Sequence, residues 1–156
     1  MKVKQFSVAL IFVMSASVTT VIAQALPAKV RTYLTDNYRG WKQTAVANGC
    51  YASFRKSVIV GDFDSNGKSD YAVKFIHGRR GHILAFLSRG TDYKPYRLES
   101  MSASELKNTG LNIARRGERI EGEDVSFTLT DDTPVIGTCA SHPGFYRFRS
   151  GDFKPL

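Results

Sequence analysis

Between two apolar runs, Asp62-Phe63-Asp64-Ser65-Asn66-Gly67-Lys68-Ser69-Asp70 sets acidic or amide oxygens at positions 1, 3, 5 and 9 of a loop, with glycine at position 6. Calcium is the ion this spacing suits. It is a hard cation that takes about six to eight oxygens at roughly 2.3 to 2.6 Å, and a tight loop converges alternate side chains on one centre. The main-chain carbonyl of position 7, here Lys68, joins them, and Gly67 lets the backbone turn sharply inside the shell. Three carboxylates more than neutralise a divalent ion, and without one their crowding is unfavourable. The expected ligands of a structural Ca2+ are therefore Asp62, Asp64, Asn66, Asp70 and the Lys68 carbonyl. Position 12, where a helix-flanked calcium loop carries a bidentate Glu, is Val73. With that ligand missing, the expected affinity lies at the weak, extracellular end, ~10⁻⁴ to 10⁻³ M. A metal-free turn is the rival reading: Asn66-Gly67 suits a two-residue hairpin, and Asp64 can cap it by accepting from its own backbone.

The elements around the loop read as strands. Val58 to Val60 run into it and Tyr71 to Ile76 run out, with Ile83 to Leu87 as a third apolar run; Gly-containing turns make these a β-meander. Their near-continuous hydrophobicity predicts central strands covered on both faces. One cover is a helix over Leu26 to Tyr38, where Val30, Tyr33 and Leu34 recur at helical spacing, Pro27 suits the first turn and Gly40 the stop. Tyr93 to Leu98 reads as an edge strand, because Pro95 cannot donate to a central ladder. Ser102 and Glu105 form a possible capping box for a short helix to Lys107. Arg119 to Glu121 with Val125 to Leu129 suggest a second hairpin, and Phe145 to Phe148 with Phe153 a terminal one. The fold class is α+β, an antiparallel sheet of meander and hairpins covered by an N-terminal helix, with a single disulfide.

The segment from Val58 to Phe75, above all Gly61-Asp62-Phe63-Asp64, Gly67, Asp70 and Tyr71-Ala72-Val73, resembles the calcium loop of FG-GAP or VCBS-type repeats. The resemblance implies the same five ligands. Together with the Tyr33-Leu34 helix, Gly40-Trp41-Lys42, Ala85-Phe86-Leu87-Ser88-Arg89-Gly90 and Gly151-Asp152-Phe153-Lys154, the loop is similar to that of small secreted bacterial proteins carrying a single copy. That group is largely without an assigned function. One loop without a repeating period is not a propeller.

Of the 156 residues, 1–25 read as a signal peptide: Lys2 and Lys4, an apolar run from Phe6 to Met14, and Ala23-Gln24-Ala25 as a cleavage pattern. The remaining 26–156 suit one α+β domain of a size that buries its own core. Cleavage removes two lysines and no acid, so the formal charge of +8 becomes about +6. No second apolar run approaches the roughly 20 residues of a membrane span. A secreted or periplasmic protein meets an oxidising compartment, which favours joining Cys50 to Cys139. That bridge would close a loop of about 90 residues, for which chain entropy gives up to ~4.5 kcal/mol. A zinc or redox pair is the alternative, though neither Cys has a CxxC neighbour.

The basic balance points to an anionic partner, a polymer or an acidic protein. Arg79 and Arg80 lie between His77 and His82 in a turn, and Arg147 and Arg149 alternate on one strand face. A solvated turn and dispersed surface charge are the bland readings. A nucleic-acid partner is not expected, since no such motif accompanies the charge. Enzyme motifs are sparse: there is no GxSxG, HExxH, phosphate loop or GxGxxG. A carboxylate pair among Glu121, Glu123 and Asp124 would suit a glycosidase. The expected function is a non-enzymatic, exported binding module; an enzyme inhibitor or immunity protein and a small hydrolase are the alternatives.

Overall fold

The computed structural model describes residues 26–44, 54–121, 126–138 and 143–156. The signal segment, Cys50 and Cys139 lie outside them, and with the cysteines the expected disulfide, which the structure does not show.

Helix α1 (Ala28–Asn37) starts after Pro27, whose carbonyl accepts from Arg31 N–H at 3.1 Å. It closes where Tyr38 N–H reaches the Leu34 carbonyl at 2.9 Å; Gly40, at φ +77°, then turns the chain toward the sheet. Val30 and Leu34, one turn apart, are fully buried, at roughly 2 kcal/mol each. Their partners are Val58, Val73, Phe75, Leu84 and Phe86.

These partners belong to an antiparallel sheet of β1 (Lys42–Gln43), β2 (Val58–Gly61), β3 (Asp70–His77), β4 (Arg80–Arg89) and β5 (Asp92–Ser102). β1 and β2 follow one another along the same edge of β3, and β4 then β5 lie on its other side. Every residue from Ile83 to Ser88 is buried, as expected for a strand covered on both faces. β5 is the edge strand that Pro95 requires, and it bulges at Leu98, between the pairs Ile83↔Glu99 and Leu84↔Arg97. Helix α2 (Ala103–Lys107) has the full capping box: Glu105 N–H donates to Ser102 Oγ at 3.2 Å, and Ser102 N–H to Glu105 Oε2 at 2.8 Å.

The second cover is a sheet rather than the helix alone. β6 (Thr109–Ala114), β9 (Thr133–Thr138), β10 (Gly144–Arg149) and β11 (Asp152–Pro155) pair in the order β11-β10-β9-β6. Leu111, Ile136 and Phe153 from this sheet meet Ile59, Ala72, Ile83, Ala85 and Leu87 from the first. On its outer face Val135 and Ala114 pack with Leu129, Ile120 and Phe127 around the hairpin of β7 (Arg119–Glu121) and β8 (Ser126–Thr128). The layers are therefore helix, sheet, sheet, hairpin. The sequence reading expects a single sheet and assigns no strand at β6 or β9. Two glycines in these strands, Gly110 and Gly137, make room for Phe54. A Cβ on Gly110 would lie 1.8 Å from the Phe54 carbonyl oxygen, and one on Gly137 would lie 2.7 Å from its ring.

A lysine is buried between the two sheets. Lys74 of β3 points between the sheets, and its Nζ donates to the Thr109 carbonyl of β6. Burial lowers its pKa from 10.5 to about 8.

Candidate metal centre

Gly61 of β2 pairs with Asp70 of β3, so the ladder itself clamps the two ends of the loop. Eight residues, 62–69, lie between these partners, which excludes a two-residue turn at Asn66-Gly67. Ser65 at φ +57° and Gly67 at φ +77° fold the loop back on itself. The result brings oxygens of Asp62, Asp64 and Asp70 within 4.8 Å of one another. Among the described residues no other three His, Cys, Asp or Glu converge in this way.

Each carboxylate oxygen in the cluster already accepts one N–H. Asp62 takes Asn66 N–H on Oδ1 and Gly67 N–H on Oδ2, both at 2.9 Å. Asp64 accepts Asn66 N–H at 3.3 Å on one oxygen and pairs with the Arg89 guanidinium on the other. Asp70, fully buried, takes Ser88 N–H at 2.7 Å and Phe63 N–H at 2.8 Å. An ionised carboxylate offers about four lone-pair sites, so every one of these oxygens keeps a lone pair for a cation. Burial pushes the Asp70 carboxyl up to about 6; its two backbone donors oppose this and the charges of Asp64 and Asp62 add to it. Arg89, hydrogen-bonded to Asp64, is held above its ordinary value. The donor set is oxygen-only and hard, fitting Ca2+ rather than a thiolate or imidazole metal.

The other expected ligands are at the rim. Asn66 is exposed; its Oδ1 accepts Lys68 N–H at 2.8 Å and its Nδ2 donates to the Ser88 carbonyl at 3.1 Å. Lys68 is exposed too. Asp64 does accept from its own turn, so that part of the metal-free reading is present alongside the carboxylate cluster.

The loop is seated on residues 130–132, the turn that leads into β9. Asp132 accepts Asp62 N–H at 3.2 Å, Arg116 N–H at 3.0 Å and Arg115 Nη1 at 2.9 Å. Asp131 accepts from Ser65 Oγ, from Thr130 Oγ1 at 2.8 Å and from Arg147 Nε at 3.3 Å. Gly61 makes the approach possible, since a Cβ there would fall 2.5 Å from Ile113 Cδ1. The only sequence signal for this second half is the Asp131-Asp132 pair, 61 residues or more beyond the loop's end. No family model, curated protein or solved structure matches this chain. The FG-GAP or VCBS resemblance thus rests on the loop's own residues.

The basic residues divide. Arg79 and Arg80 are exposed on the β3–β4 turn, Arg80 donating to Ser100 Oγ at 3.3 Å, and Arg149 is exposed at the end of β10. Arg147 is not with them. It is buried and given over to Asp131 and Thr130, because β10 lies beside β9 and turns that side chain toward the 130–132 turn. His77 and His82 stand 6.5 Å apart, ring to ring, among Tyr38 and Phe75. Glu123 and Asp124 lie outside the described residues.

Proposed function

We propose that the chain is an exported binding domain whose Asp62–Asp70 loop holds one structural calcium ion, and which meets an anionic polymer or an acidic protein through its basic surface. The convergence of three carboxylates, one of them buried, at the junction of β2, β3 and the second sheet carries the reading. Their mutual repulsion is relieved by a divalent ion, and the ion would then fix two strands and the Asp131–Asp132 turn in one step. Asp62, Asp64, Asn66, Asp70 and the Lys68 carbonyl are the proposed ligands, with a dissociation constant of ~10⁻⁴ to 10⁻³ M. Arg79, Arg80 and Arg149 are the exposed cations proposed to face the partner. The exposed turn at Gly78, Arg79 and Arg80 favours an enzyme-inhibitor role as the second reading. A disulfide between Cys50 and Cys139 belongs to the same proposal, and a two-dalton mass gain on reduction tests it.

Titration calorimetry tests the ion site. One calcium per chain is expected for the parent and none for Asp64→Ala; a parent that takes up no calcium at millimolar concentration defeats the reading.

A further inference from the structure

At the end of β3 opposite the Asp loop, the last residue packed under α1 rests on a cluster of rings. His82 of β4 lies flat on Phe75 of β3, with centroids 5.3 Å apart and planes at 24°. Tyr38, which closes α1, covers His82 at 5.1 Å, Phe75 at 4.9 Å and His77 at 5.7 Å. Trp41, the single tryptophan of the sequence, meets Phe75 edge-on at 6.0 Å. His82 Nδ1 is buried with no hydrogen-bond partner among the described residues.

A neutral imidazole tolerates that position, with its proton on Nε2 and Nδ1 left as a bare lone pair. A protonated ring does not. It would bury an Nδ1–H with no acceptor among the described residues and set a charge against aromatic carbon. The groups facing it from each packed element are Tyr38 of α1, His77 of β3, Arg80 of β4 and Arg97 of β5; all are neutral or cationic, and no carboxylate is among them. Attraction of an imidazolium to the Phe75 ring works the other way, but it neither satisfies Nδ1–H nor offsets the cationic neighbours.

We propose that His82 is an acid-operated latch for α1, whose protonation opens the Phe75–His82–Tyr38 stack and releases the C-terminal end of the helix with Trp41. Burial, then His77, Arg80 and Arg97, hold the His82 pKa below the ordinary histidine value. The folded protein therefore takes up this proton later than the unfolded chain, and stability falls as the pH drops through that window. The loop carboxylates belong to the other end of β3, so the latch stands whether or not calcium binds.

Trp41 reports the event directly. Between about pH 7.5 and 5, at fixed calcium, its emission should shift to longer wavelength with a midpoint below about 6.5. His82→Phe should abolish the shift, and His77→Gln should keep it while raising the midpoint. An unchanged Trp41 emission in the parent, or the same shift in His82→Phe, overturns the latch. If His82→Phe does not fold, the parent's histidine proton resonances decide: a His82 ring that titrates at or above the ordinary value refutes it.

Discussion

Replacing Lys74 with methionine should make the protein more stable at neutral pH. Lys74 is wholly buried and has one acceptor, the Thr109 carbonyl, with no carboxylate paired to it among the described residues. Burial takes its pKa from 10.5 to about 8, so between those values the unfolded chain holds a proton that the folded one lacks. Stability then rises with pH across that window, and at about 1.4 kcal/mol per pH unit the total is about 3 kcal/mol, absent below pH 8 and recovered by pH 10.5. Lys74→Met keeps the apolar stem and removes the charge. It also leaves the Thr109 carbonyl without this donor, which costs about 1 kcal/mol. The variant should therefore exceed the parent by roughly 2 kcal/mol at pH 7 and fall about 1 kcal/mol below it near pH 10.5. Urea unfolding of both proteins at the two pH values measures this, and taking the difference cancels every other titrating group. A variant less stable at pH 7, or a difference that does not change with pH, would refute the reasoning.

Asp131→Asn should cost roughly 3 kcal/mol in urea unfolding at pH 7, because it leaves the buried Arg147 without its counter-charge. Burial raises the Asp131 pKa, but bonds from Ser65, Thr130 and Arg147 and the Arg147 charge outweigh this and hold it below the ordinary value of 3.8. Its contribution is thus complete above that pH and lost as the pH falls through the folded value, so the variant's stability curve should be flatter at the acid end. Gly110→Ala sets a methyl against the Phe54 carbonyl at 1.8 Å and should cost at least about 3 kcal/mol, read as a loss of folded protein by circular dichroism. Ser102→Ala removes half of the α2 capping box and should cost about 1 kcal/mol in the same measurement.

The hairpin around the loop was legible because β2, β3 and β4 advertise themselves with apolar residues and the loop with alternating oxygens. The capping box and the Pro95 edge were legible for the same local reason. β6 and β9 were not, since their glycines answer to a distant partner, Phe54. The seat of the loop was hidden likewise: Asp132 accepts from Asp62 N–H across 70 positions, a separation no local pattern encodes. Alternation put Arg147 and Arg149 on one face, which says nothing of whether that face is covered. At Arg147 it is, and the side chain serves the Asp131 turn.

Thermal unfolding in EDTA and then in calcium at 100 times the proposed dissociation constant, ~10 to 100 mM, on the parent and on Asp62→Asn and Asp64→Ala, tests the central claim most directly. The quantity to compare is the calcium-induced change in each protein. Asp62 also holds the Asn66 and Gly67 amides, so its variants lose stability even without an ion. At 100 times the dissociation constant, calcium should add roughly 2.7 kcal/mol to the parent and raise its midpoint, with no rise in Asp64→Ala and a reduced one in Asp62→Asn. A parent midpoint that does not move, or one that moves equally in all three proteins, would contradict an ion site built from these carboxylates.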